Sequence, residues 1–123
     1  MSVPFIDLKS QYADLSDSIK KGIEAVLDHG KYVMGPEVLE LESQLATMGK
    51  TSHVLSCSSG TDALVIALMA YGVGPGDAIF TSPFTFVATA EAIVTVGATP
   101  VFVDIDPGTL NIDTKKLAEA ILT

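Results

Sequence analysis

Tyr12, Leu15, Ile19, Ile23, Val26 and Leu27 recur at helical intervals and Gly30 closes the run, which predicts a first amphipathic helix. Its apolar stripe needs a partner. Pro36 is placed to open a second helix, along which Val38, Leu41, Glu42 and Leu45 separate into faces before Gly49 stops it. After that the period changes. Short apolar runs alternate with helical patterns: a strand over 53–57, a helix over 61–71, a Gly-rich connection over 72–77, a strand over 78–81, a helix over 86–96, a strand over 100–104 and a last helix near 114–122. This alternation predicts an α/β fold, with helices around a mostly parallel sheet and right-handed crossovers.

The predicted 53–57 strand breaks into a turn of small residues that opens a helix. N–H groups in the first turn of a helix have no intrahelical partner, and the macrodipole adds roughly half a positive charge there, so a phosphate is a natural occupant. Gly60 lets the backbone come close, while Ser59, Thr61 and Asp62 can donate or cap. The same residue types are also the commonest helix caps, so this turn alone is compatible with a plain helix start. Residues 82–93 repeat the event after the 78–81 strand, with Phe84 and Phe86 in the turn. Ligands of parallel sheets bind beyond the carboxyl ends of the strands, so both turns are expected to open on one crevice. Phe84 or Phe86 could stack on a flat heteroaromatic ring whose phosphate sits at Gly60–Asp62, the arrangement a pyridine-type cofactor needs. Core packing is the competing role for either ring.

Six segments taken in order carry a family resemblance: Phe5–Tyr12, Gly30–Pro36, Ser59–Leu64, Gly74–Asp77, Phe84–Thr89 and Gly97–Pro107. Together they resemble the N-terminal part of the DegT/DnrJ/StrS sugar aminotransferases. That resemblance implies the large domain of the aspartate-aminotransferase-like (type I) fold, pyridoxal 5′-phosphate as cofactor, and amination of a nucleotide-linked keto-sugar by an amino acid such as glutamate. It further implies that Gly60, Thr61 and Asp62 hold the cofactor phosphate and that Phe86 stacks on the pyridine ring. The Gly30–Pro36 segment, with Tyr32 and Gly35, looks like a wall of the sugar-nucleotide site. By the same resemblance residues 1–50 form a helical N-terminal segment and 51–123 the cofactor-binding segment of a protein that is a homodimer when intact. Amino-sugar and surface-polysaccharide biosynthesis is the usual setting.

The resemblance also implies two residues that are not matched here, a Schiff-base lysine and an acidic partner for the pyridine nitrogen, which tune the cofactor as an electron sink. Both are expected beyond Thr123, so the chain reads as an N-terminal fragment, inactive alone. All seven basic residues are lysines. Lys20, Lys21, Lys115 and Lys116 sit in polar helical stretches and Lys50 at a helix end, where solvation is expected, and the resemblance gives Lys31 no such role. Asp104 and Asp106 read as turn and capping residues ahead of Pro107-Gly108. A dehydratase of the same family, with a histidine replacing the lysine, is one alternative reading. A non-catalytic chain that binds phosphate or a partner is another.

Composition narrows these readings. A net charge of −8 with no arginine argues against nucleic-acid binding and leaves phosphate recognition to amides, hydroxyls and helix termini. No basic leader or apolar run of membrane length occurs, so a cytoplasmic location is expected. Neither a Gly-x-Gly-x-x-Gly turn after the first strand nor a Gly-Lys-Ser/Thr loop is present. The single Cys57, on the predicted apolar strand, is expected to be buried, and His29 and His53 lack metal-ligand spacing. His29 reads as a helix-end residue that meets the dipole.

Overall fold

The computed structural model describes residues 4–122. Met1–Val3 and Thr123, which bear on the reading of the two ends, lie outside the described residues. The chain divides into two compact units, Met1–Ser56 and Cys57–Thr123.

The first unit holds two helices. Helix α1 spans Leu8–His29, beginning ahead of the periodic stripe because Asp7 caps it: its carboxylate accepts the Ser10 N–H at 3.1 Å and the Ser10 hydroxyl at 2.7 Å. It ends at Gly30, whose φ of 67° is the left-handed conformation that closes helices, with its N–H on Val26 O. Helix α2 spans Pro36–Gly49 with proline at its first position, where a missing N–H costs nothing. Among the described residues, Leu15, Ile19, Ile23 and Leu27 of α1 are all exposed.

Residues 53–57 are a correction to the sequence reading, for they form no strand. Strand identity requires a backbone ladder, and here side chains take the backbone instead. Glu42 Oε1, on α2, accepts both the N–H and the hydroxyl of Ser56 at 2.8 Å each, and the Thr51 hydroxyl donates to His53 O. Cys57 is exposed rather than buried, because the apolar strand that was to bury it is not formed; its thiol donates to Ser59 O.

The second unit contains the sheet. Helix α3 (Gly60–Ala70) precedes strand β1 (Ala78–Thr81), helix α4 (Ala88–Thr95), strand β2 (Thr99–Phe102) and helix α5 (Thr114–Ile121). The two strands pair in parallel from Ala78↔Thr99 to Thr81↔Phe102. A parallel pair needs a crossover, and α4 supplies it. The buried side chains sit where this crossover lies on the strands: Ala88, Ala92 and Ile93 of α4, with Ala98 and Val103 flanking β2. Small alanines on α4 let the helix approach closely, and Ile93 fills the space they leave. Helix α4 is shorter than the predicted 86–96, and β2 stops before 104 because the Asp104 carboxylate accepts the next backbone N–H, that of Ile105, at 2.8 Å.

Candidate functional site

Ser59 opens α3 in extended conformation, and its hydroxyl oxygen accepts the Asp62 N–H at 3.1 Å. The Ser59 carbonyl takes the Ala63 N–H. Asp62 is therefore spent on the turn itself: its amide goes to Ser59 and its carboxylate accepts the Ser58 hydroxyl. The N–H groups of Gly60 and Thr61 have no acceptor among the described residues, which leaves two adjacent donors at the positive end of a helix.

Gly60 sharpens this picture. Among the described residues a Cβ at this position would meet nothing within 4 Å, and its backbone is not left-handed, so none of them requires a glycine there. A glycine that the fold does not need fits a site where an external group must reach the backbone amides. The donor set, amides and the Thr61 hydroxyl without a guanidinium, suits a phosphate ester held by neutral donors. The residues present thus fit the phosphate of a pyridine cofactor.

Helix α3 packs against α4. Thr61 shares a shallow pocket with Ala90, Glu91, Val94 and Thr95 on the flank of α4, a lining that includes neither Phe84 nor Phe86. The turn ahead of α4 is internally braced: Ser82 Oγ accepts the Phe84 N–H at 3.0 Å, the hydroxyls of Thr85 and Thr89 are 2.9 Å apart, and Phe86 O accepts the Thr89 N–H. Both rings stand out from this turn, Phe84 at 65% and Phe86 at 76% exposure. Neither is a core residue here.

Asp106 is a turn residue, its Oδ1 accepting the N–H groups of Gly108 and Thr109 at 2.8 and 2.9 Å. These two bonds hold its carboxyl below the usual carboxylate range. Asp104 receives Lys116 Nζ at 2.9 Å, which lowers the carboxyl and raises the ammonium. Lys116 is thus paired as well as partly solvated.

In the first unit, Tyr32 and Gly35 lie on the loop between α1 and α2. The Tyr32 ring is 66% exposed and Gly35 is buried. The pattern-based reading missed what holds this loop. His29 Nε2 lies 2.9 Å from Glu37 Oε1, and His29 Nδ1 accepts the Lys31 N–H at 3.0 Å. The hydrogen bond from His29 keeps the Glu37 carboxyl below its ordinary range. A histidine at a helix end eight positions before a glutamate in the next helix's first turn was the available signal.

No helix among the described residues is long and apolar enough to cross a membrane. A sequence model of the DegT/DnrJ/EryC1/StrS aminotransferase family matches residues 13–123. The chain is 54% identical over 119 residues to a UDP-2-acetamido-2-deoxy-3-oxo-D-glucuronate aminotransferase of Pseudomonas aeruginosa, covering 97% of this chain and 33% of that protein. A DegT DnrJ EryC1 StrS aminotransferase from Brucella abortus superposes with a TM-score of 0.87 at 45% identity, over 98% of this chain and 32% of that one. NtdA from Bacillus subtilis, solved with bound cofactor PMP, gives a TM-score of 0.81 at 35% identity, over 97% of this chain and 28% of that one. The chain spans about a third of the length of the relatives it matches.

Proposed function

The chain belongs to the DegT/DnrJ/EryC1/StrS aminotransferase family, and we propose that it forms the N-terminal portion of the cofactor-binding large domain of a pyridoxal-phosphate-dependent sugar aminotransferase. The substrate class is a nucleotide-linked keto-sugar, and the chemistry named in the Pseudomonas aeruginosa relative favours a UDP-linked 3-keto-sugar. Glutamate is the proposed amino donor, and the enzyme is a cytoplasmic homodimer. The exposed stripe of α1 supports a further covering surface, since apolar patches of that kind mark interaction sites.

When bound, the cofactor supplies an electron sink that carries the amino group between donor and sugar. This chain's part is to bind and orient it. The Gly60 and Thr61 amides and the Thr61 hydroxyl hold the phosphate. Asp62 shapes the turn, since its amide and carboxylate are engaged within it. Phe86, exposed on a braced turn, offers its face to the pyridine ring. The lysine that exchanges protons with the substrate is assigned to a part of the protein outside these 123 residues, which span about a third of the relatives' length. The same residue decides between amination and dehydration, and the aminotransferase name of the 54% identical relative favours amination.

The observation that carries the reading is the pair of free donors beside a glycine the fold does not itself require. Thr61→Ala in the full-length protein is expected to weaken retention of pyridoxal 5′-phosphate by about 1–3 kcal/mol, the range for a hydrogen bond to a charged group, read by visible absorbance titration. Unchanged retention removes the phosphate assignment. Phe86→Ala should also loosen the cofactor, and loss on Phe84→Ala alone would move the stacking role to the other ring.

A further inference from the structure

The loop between α1 and α2 is closed by bonds that start from one side chain. His29 Nδ1 accepts the Lys31 N–H at 3.0 Å, which leaves Nε2 to face Glu37. Nε2–H then donates to Glu37 Oε1 at 2.9 Å. The Glu37 carboxylate makes this a charge-assisted hydrogen bond. One ring, fixed at the last residue of α1, ties the first loop amide to the first turn of α2.

The other side of Lys31 lies against Gly35. A Cβ on the buried Gly35 would lie 2.4 Å from Lys31 O, so the carbonyl occupies the space a side chain would need. Gly35 O in turn accepts the N–H groups of Val38 and Leu39 at the start of α2. Met34, with φ of 50°, takes the left-handed conformation that closes so short a loop. Tyr32, Val33 and Met34 all face outward, at 66%, 87% and 58% exposure.

We propose that His29 is a positioning residue for substrate recognition: its imidazole, bonded to Glu37, fixes the Lys31 amide and so presents Tyr32 in one place to the sugar nucleotide. The substrate part of this proposal rests on the reading of residues 30–36 as a wall of the sugar-nucleotide site. His29 itself touches no reacting atom. Its removal acts on the address of Tyr32, and therefore on substrate capture more than on turnover.

The test uses the full-length protein, UDP-2-acetamido-2-deoxy-3-oxo-D-glucuronate as substrate, and hydrogen exchange of the peptide covering residues 30–36. His29→Ala is expected to raise KM about five- to tenfold with kcat and cofactor retention little changed, and to speed exchange in that peptide. His29→Asn, whose Oδ1 can replace Nδ1 as the acceptor for Lys31, should restore both KM and protection. An unchanged KM, a parallel fall of kcat and cofactor retention, or an Asn variant no better than Ala overturns the proposal. If the wild-type protein turns over no UDP-linked keto-sugar, the functional reading fails by itself, and exchange then decides for His29: unchanged protection in His29→Ala overturns its hold on the loop, and lost protection supports it.

Discussion

The two turns that carry the candidate residues each contain a glycine, and the chain around the two glycines differs. Around Gly30–Pro36 the chain itself meets three backbone groups: the Lys31 amide bonds to His29, its carbonyl lies against Gly35, and the Gly35 carbonyl bonds to α2. Around Ser58–Asp62 the side chains brace the turn, but the Gly60 and Thr61 amides are left facing outward. Each turn has its glycine, and the two glycines mean different things. Gly35 answers to the chain's own packing, whereas a Cβ on Gly60 would meet nothing within 4 Å among the described residues. A position whose residue type the fold does not explain is the better pointer to a ligand.

The largest expected effect comes from putting a methyl group on the Gly30–Pro36 turn. Gly35→Ala places a Cβ 2.4 Å from Lys31 O. Backbone must move to relieve it, at a cost of about 1–3 kcal/mol, the usual range for overpacking. A lowered denaturation midpoint with faster exchange over residues 30–36 is the expected result. A variant as stable as the parent would show that the loop is not closed as described.

The same substitution on the Ser58–Asp62 turn should do the reverse. Gly60→Ala meets open space, so stability is expected to stay within about 0.5 kcal/mol of the parent. Its Cβ would stand where a phosphate approaches the two free amides. Cofactor retention is therefore expected to fall about tenfold, equivalent to roughly 1.4 kcal/mol. Equal loss of stability in both alanine variants would erase the contrast between the turns, and full retention in Gly60→Ala would remove the ligand explanation for that glycine.

Much of this was legible because local chemistry settles it. Gly30 ends α1, Pro36 opens α2, Ala78–Thr81 is a strand, and Asp106 folds back on the backbone of its own turn, each from a residue whose conformational preference acts within a few positions. The helix start at Ser59–Asp62 was legible for the same reason, although its division of labour was not. That Asp62 braces the turn while Gly60 and Thr61 remain free depends on which hydroxyl reaches which amide. The errors arose where a distant group intervened. Val54–Cys57 has the composition of a strand, yet Glu42, fourteen residues before Ser56, takes its amide. The burial of Cys57 failed with the strand that was to provide it. His29 and Glu37 belong to two helices, and no periodicity within either helix shows that their side chains meet.

The smallest expected effect concerns that Glu42 contact, and it sets the first unit's carboxylate-held segment against the second unit's backbone-paired strands. The backbone and hydroxyl bonds from Ser56 hold the Glu42 carboxyl below the ordinary glutamate range. A folded value below the unfolded one means that the contact contributes fully above the unfolded value and is lost as pH falls through the folded one. Protection of residues 53–57, measured against intrinsic exchange at each pH, should therefore decline on acidification below the ordinary glutamate range, while the ladder from Ala78↔Thr99 to Thr81↔Phe102, built from backbone groups alone, should not follow it. Glu42→Gln retains an acceptor for Ser56 but has no proton to gain, so its protection should lose that pH dependence. A decline over 53–57 that persists in Glu42→Gln would assign the acid sensitivity to another group and leave the segment held by something other than this carboxylate.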